Sequence, residues 1–147
     1  PDLRLTMVGI GPLAGELRAK LPNNVTLHGW LERDELAALL ASAGGFIHVG
    51  EEDFGISMVE ALASGAPVVA LRRGGALDIV RDGVDGVLID PPATPQAIRQ
   101  AVRAVVGREW NPASLRRRAE EFSADRFRAR LREVIASRLK PVRGGAG

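Results

Sequence analysis

Residues 46–71 read FIHVGEEDFGISMVEALASGAPVVAL. Phe46-Ile47-His48-Val49 is a compact, mostly apolar run of strand length. Residues 50–53 are polar and read as a turn. Apolar side chains return at helical spacing through Ile56, Val59, Leu62 and Ala63. Ser64-Gly65-Ala66-Pro67 ends that helix, since glycine caps a helix readily and proline cannot continue one. Val68–Leu71 is a second short apolar strand. Strand, helix and strand in this order predict a β-α-β unit, because two parallel strands need a crossover between them.

The same alternation extends in both directions. Upstream, Leu3–Val8 alternates apolar and polar residues and ends at Gly9-Ile10-Gly11-Pro12, a strand and a tight turn. Leu13, Leu17 and Leu21 then mark a helix that Pro22-Asn23-Asn24 breaks. Val25–His28 is a strand, Gly29-Trp30-Leu31 turns out of it, and Leu36, Leu39, Leu40 and Ala43 mark a helix. Gly44-Gly45 is expected to stop that helix in a left-handed cap. Downstream, Gly74-Gly75 opens a short helix, Asp82-Gly83 turns, and Gly86–Ile89 is a strand. Thr94-Pro95 and Asn111-Pro112 each place a capping side chain before a proline at the first helical position. Ser123 caps a last helix with the stripe Phe127, Leu131, Val134, Ile135 and Leu139. Trp30, Trp110, Phe122 and Phe127 read as packing anchors, and residues 141–147 as a flexible tail. Short apolar strands between amphipathic helices predict an α/β fold, a Rossmann-like parallel sheet with helices on both faces. Ligands in such sheets bind beyond the carboxyl ends of the strands, here the loops at 9–12, 29–33, 50–55 and 72–76.

Composition narrows the chemistry. The chain has 147 residues, enough for one domain with its own core. With 46% apolar and 26% charged residues it has a globular balance, and no apolar run reaches membrane-spanning length. It has no cysteine, which excludes disulfides, thiolate metal ligands and a thiol nucleophile. Its two histidines, His28 and His48, argue against a histidine metal site. The net charge of +2 conceals an asymmetry: residues 1–98 carry −6 and residues 99–147 carry +8. The basic part reads as an Arg-rich solvated helical face, and its few aromatics argue against nucleic acid. The opening Pro1-Asp2-Leu3-Arg4 does not read as a signal peptide. It starts directly on a strand-like run, which suggests a domain cut from a longer chain.

Chemistry concentrates at residues 50–60. Glu51, Glu52 and Asp53 crowd the end of a buried strand, and Phe54-Gly55 leads into a helix. A helix start offers free N–H groups and a positive dipole end to phosphate or sugar oxygens. Gly55 is expected to let a ligand approach the backbone. Glu60 stands in a run of apolar and small residues, where a charge is unfavourable unless paired or facing a ligand. A carboxylate there suits the two hydroxyls of a ribose. From spacing alone, Glu51–Asp53 could equally serve the helix dipole and Glu60 could be solvated.

The stretch from Glu52 to Glu60 resembles the Glu-(seven residues)-Glu motif of retaining GT-B glycosyltransferases of glycosyltransferase family 4. Val8–Leu13, Asn24–Leu31, Glu60–Ala70, Gly74-Gly75 and Asp82–Gly86 are similar to further segments of that family, in its order, over roughly residues 3–135. The family's glutamate after the paired glycines is replaced by Asp78. Gly74–Asp78 and Phe122–Phe127 are most similar to bacterial mannosyltransferases of polysaccharide assembly. The resemblance implies that Glu52 contacts donor-sugar hydroxyls as the catalytic-site carboxylate. It implies that Asp53, Phe54, Gly55 and Ile56 hold sugar and diphosphate, that Glu60 binds the ribose, that Leu31 borders the base, and that Gly75 lets a loop approach the donor. It also implies that residues 1–140 are the C-terminal donor-binding half of a GT-B fold, incomplete at its N-terminal edge. The acceptor domain would then be missing, with the opening strand and the cations that clamp the diphosphate, leaving the chain alone inactive. The implied donor is GDP-mannose, the acceptor a saccharide or lipid-linked one. No cofactor and no catalytic metal are implied. The location would be cytoplasmic, with peripheral contact at the inner membrane face as one option. The final helix would lie at the domain junction with part of its apolar stripe exposed.

Other readings stay open. Gly9-Ile10-Gly11-Pro12-Leu13-Ala14 formally fits a dinucleotide fingerprint, which would suit an NAD-dependent oxidoreductase. A stand-alone nucleotide-binding module and a GT-B relative such as a nucleotide-sugar epimerase are the remaining alternatives.

Overall fold

The computed structural model describes residues 3–139, and the expected tail at 141–147 lies outside them. The chain divides into two compact units, one up to Leu39 and one from Leu40 onward.

The first unit contains β1 (Leu5–Val8), α1 (Ala14–Arg18) and β2 (Val25–His28), followed by α2 (Arg33–Ser42). β1 and β2 pair in parallel with Leu5 opposite Val25 and Val8 opposite His28. Asn24 ties the ladder at its start: its side chain donates to Leu3 O at 2.9 Å and its carbonyl accepts from Leu5 N–H at 2.9 Å. α1 is shorter than the leucine stripe suggests; Gly15 lies within it, and one turn of helix gains little against its nucleation cost. No described residue of this unit is buried. Trp30 is 73% exposed and is therefore not a packing anchor.

The second unit holds the core. Its elements are β3 (Phe46–His48), α3 (Ile56–Ser64), β4 (Val68–Leu71), α4 (Ala76–Ile79), β5 (Gly86–Ile89), α5 (Pro95–Val106), α6 (Pro112–Glu120) and α7 (Ala124–Arg138). The strands form a parallel sheet ordered β3-β4-β5, with Phe46 opposite Val68 and Val68 opposite Gly86. β4 is central, and Val68, Val69 and Ala70 are buried. Val69, Ile89, Ala101 and Val105 join one apolar cluster beneath α5, with half-buried Trp110 against it. Right-handed crossovers put α3 and α4 on the other face, where α6 packs on α3. Met58, Leu62, Ile79 and Leu115 are fully buried.

The fold class agrees with the sequence reading, with parallel pairing inside each unit. Among the described residues β1 pairs only with β2, and β3 only with β4. The predicted caps are present: Thr94, Asn111 and Ser123 accept from the N–H groups of Ala97, Ser114 and Arg126. The left-handed cap expected at Gly44-Gly45 is absent, since neither residue has positive φ. Gly45 is needed for another reason: a Cβ there would lie 2.9 Å from Val105 Cγ1. The last helix departs further from expectation. α7 buries no residue, Phe127 is 66% exposed, and the whole stripe is open rather than part of it.

Candidate functional site

The loop between β3 and α3 carries Glu51, Glu52, Asp53 and Phe54, all exposed at the carboxyl end of the sheet. It rests on the turn after β4. Gly75 N–H donates to Glu52 O at 2.7 Å. A Cβ on Gly74 would lie 2.3 Å from Glu52 O, and one on Gly75 would lie 2.1 Å from Phe54 O. The paired glycines thus let two backbones meet, and what they approach is the loop itself. Gly55 also has a different reason from the one expected. It is buried in the left-handed conformation (φ 87°), and its missing Cβ points at Met58 Cε, 2.1 Å away. Its role is to turn the chain over the core at the start of α3.

α3 differs from α5, α6 and α7 at its first turn. No side chain caps it, and no acidic residue stands there. The N–H groups of Ile56 and Ser57 and the positive dipole end are therefore available to an anion, while Met58 N–H donates to Gly55 O at 3.0 Å. Met58, Ala61 and Leu62 bury one side of the helix. Ile56 and Glu60 are exposed, and their spacing of four residues puts them on one face, Glu60 about 6 Å further along the axis. The Glu60 carboxylate forms no ion pair among the described residues.

The arginines beside the loop are already engaged. Arg73 pairs with Glu51 at 3.4 Å. Arg72 pairs with Asp82 at 2.5 Å and Asp90 at 2.7 Å, and its hydrogen bonds to these carboxylates raise its pKa against the opposing effect of burial. Burial alone would push Asp82 up, but the Leu88 N–H and the Arg72 guanidinium outweigh it and hold the carboxyl below its ordinary range. His48, at the end of β3, is mostly buried; its Nε2 has no hydrogen-bond partner and lies 3.7 Å from Glu52 Oε1. Nothing in the sequence beyond the four-residue spacing announces that approach.

The structure brings together Glu52, Asp53, Phe54, Gly55, Ile56, Glu60 and Gly75. Leu31 belongs to the first unit, where it follows β2 and is half-buried. Among the described residues no three His, Asp or Glu side chains converge on a common point that could hold a metal ion. A hollow along α5 is lined by Thr94, Gln96, Arg99 and Arg103.

Two features escaped sequence reading. The Phe54 ring meets the Phe122 ring edge-on, with centroids 6.3 Å apart. Asp85 is fully buried, bound by Arg81 at 2.7 Å and within 3.9 Å of Arg118. The Phe54–Phe122 and Arg118–Asp85 contacts join residues far apart in the chain, so no local spacing signals them; Arg81 and Asp85 are only four residues apart.

Comparison with known proteins places the chain among glycosyltransferases. The GDP-mannose-dependent alpha-mannosyltransferase of Corynebacterium glutamicum is 41% identical over 90 residues, covering 60% of this chain and 22% of that protein. The GDP-mannose-dependent alpha-(1-6)-phosphatidylinositol dimannoside mannosyltransferase of Mycobacterium tuberculosis is 34% identical over 151 residues, covering 98% of this chain and 38% of that one. The chain thus spans well under half the length of either relative. Among solved structures, the lipopolysaccharide outer core galactosyltransferase WaaB shares the fold, with a TM-score of 0.81 at 18% identity over 92% of this chain and 41% of that one. Anabaena Alr3699/HepE in complex with UDP gives a TM-score of 0.71 at 27% identity, over 93% of this chain and 42% of that one. The family described as glycosyl transferases group 1 matches residues 1–108, and the chain belongs to that family.

Proposed function

We propose that this chain is the donor-binding domain of a retaining GT-B glycosyltransferase of family 4. The whole protein would move a hexose from a nucleotide sugar to a saccharide or lipid-linked acceptor. The observation that carries the reading is the start of α3: an end without a side-chain cap, with Glu52 before it and Glu60 one turn in on an open face. The first amides of α3 would bind diphosphate oxygens. Glu52 would accept hydrogen bonds from sugar hydroxyls and Glu60 from the ribose diol. Asp53, Phe54, Gly55 and Ile56 would border the sugar and diphosphate.

Departure of the diphosphate leaves negative charge that needs cations nearby. Arg72 and Arg73 are tied to Asp82, Asp90 and Glu51. We therefore place the balancing cations in an upstream part of the whole protein, together with the acceptor domain and an opening strand for which the free edge of β3 offers a partner. On this reading the isolated chain binds the donor without turning it over. We assign the donor as GDP-mannose, supported by relatives whose names carry that donor. A UDP-sugar is the rival, favoured by the likeness to HepE. We place the protein in the cytoplasm, with the inner membrane face as the alternative, because the family resemblance implies it.

Calorimetric titration of the chain with GDP, GDP-mannose, UDP, UDP-glucose and NAD tests the reading. Binding of the guanosine ligands in preference to the uridine ones is expected. Binding of NAD with neither nucleoside diphosphate would sink the assignment, and a uridine preference would move it to the rival donor.

A further inference from the structure

The donor loop is gripped twice, and both grips lead to one side chain that lies well away in sequence. The first grip is the turn at Gly74-Gly75, which bonds Glu52 O and opens α4. α4 is one turn long, so its last carbonyls lack helical partners. Arg118, near the end of α6, supplies them: Nε donates to Ile79 O at 2.9 Å and Nη2 donates to Asp78 O. The second grip is the Phe54 ring, edge-on to Phe122. The Arg118 guanidinium lies over that same Phe122 ring, 4.9 Å from its centroid. Its Nη1 bonds Glu121 at 2.5 Å, and the side chain is only 14% exposed. The contacts form a closed circuit: Glu52–Phe54, Gly75, α4, Arg118, Phe122, and back to Phe54.

We infer that Arg118, acting through Phe122 and α4, is a positioning residue for the donor loop and sets the affinity of the sugar end of the donor. The inference rests on the donor-binding reading above. Arginine suits the place because its planar fork can serve two adjacent carbonyls while its face covers a ring. Lysine keeps the charge but cannot do both. The sugar and first phosphate would touch the loop, whereas Glu60 sits a turn inside α3. Loosening the circuit therefore weakens a nucleotide sugar more than the bare nucleotide.

The test uses the 147-residue chain with Phe122→Leu, Arg118→Lys and the double substitution. Affinities for GDP and GDP-mannose, and for UDP and UDP-glucose, are measured beside thermal melting and amide exchange. Each single substitution is expected to weaken the nucleotide sugar about threefold to tenfold, the worth of one aromatic contact, with a smaller loss for the nucleotide. The double variant should lose little more than the weaker-binding single, because both act on one path. Amides of residues 52–58 and Gly75 should exchange faster in both singles while those of β4 do not. Equal losses for nucleotide and nucleotide sugar, or unchanged exchange in the loop, would overturn the inference even where melting falls. If Arg118→Lys does not fold, Phe122→Leu alone decides by the same two readouts. Should the unsubstituted chain bind no nucleotide at all, the donor-binding reading fails and takes this inference with it; binding by the unsubstituted chain with no selective loss in the variants overturns only the inference.

Discussion

Gly75 and Glu60 show how differently two residues of one site are constrained. A methyl group on Gly75 would meet Phe54 O at 2.1 Å and Asp53 O at 2.9 Å, both backbone atoms that cannot step aside cheaply. Gly75→Ala should displace the donor loop, costing about 1–3 kcal/mol of stability by overpacking and abolishing donor binding; melting and titration check this. Glu60 is exposed and unpaired among the described residues, so Glu60→Ala should leave stability within about 0.5 kcal/mol. The same change should weaken nucleotide binding about tenfold or more, the worth of a charged hydrogen bond pair. Unchanged affinity would remove its ribose role. Glu60 stands out in the sequence as a charge within an apolar run, whereas Gly75 is expected to let a loop near the donor and instead meets the backbone of Asp53 and Phe54. The reason for Gly55 was not legible: a left-handed turn over Met58 leaves the same letter as a ligand-facing glycine. Phe54 and Phe122 were equally opaque, because their contact closes across the fold.

The helices follow their local signals closely where those signals are chemical. Thr94, Asn111 and Ser123 cap the helices they precede, and the prolines at 95 and 112 stand at first helical positions. Pattern alone was less reliable, as the leucine stripe that overstates α1 shows. The clasp joining the end of β4 to β5 was also hidden, since it depends on Arg72 reaching Asp82 and Asp90. Its pH dependence follows from Asp82. Burial pushes this carboxyl up, but the Leu88 N–H and Arg72 pull it further down, so the folded chain binds the proton less readily than the unfolded one. The clasp's contribution is complete above about pH 4, the ordinary aspartate value, and is lost as pH falls through the lower folded-state value. Melting temperature should therefore drop more steeply with acid below about pH 4 in the unsubstituted chain than in Asp82→Asn.

At the scale of the molecule, alternation of strand and helix correctly gave the α/β class, the order of elements and the helices on both faces of the β3-β4-β5 sheet. It could not show that β4 is the central strand of its unit, because periodicity reports which face of a strand is apolar and not which strand lies beside it. Among the described residues, the arginines of α5, α6 and α7 are exposed except Arg118, so most of the basic charge after residue 98 lies on solvated helix faces. α7 has one more consequence. Its fifteen residues bury nothing, so burial adds little to a local helix–coil balance that is marginal at this length. In deuterium its amides should be among the first to exchange, while those of β4, enclosed between strands and helices, should exchange only through global opening. A time course followed by mass spectrometry would read this as two separated populations of protection within one chain; protection in α7 equal to that in β4 would mean that something covers the helix in solution.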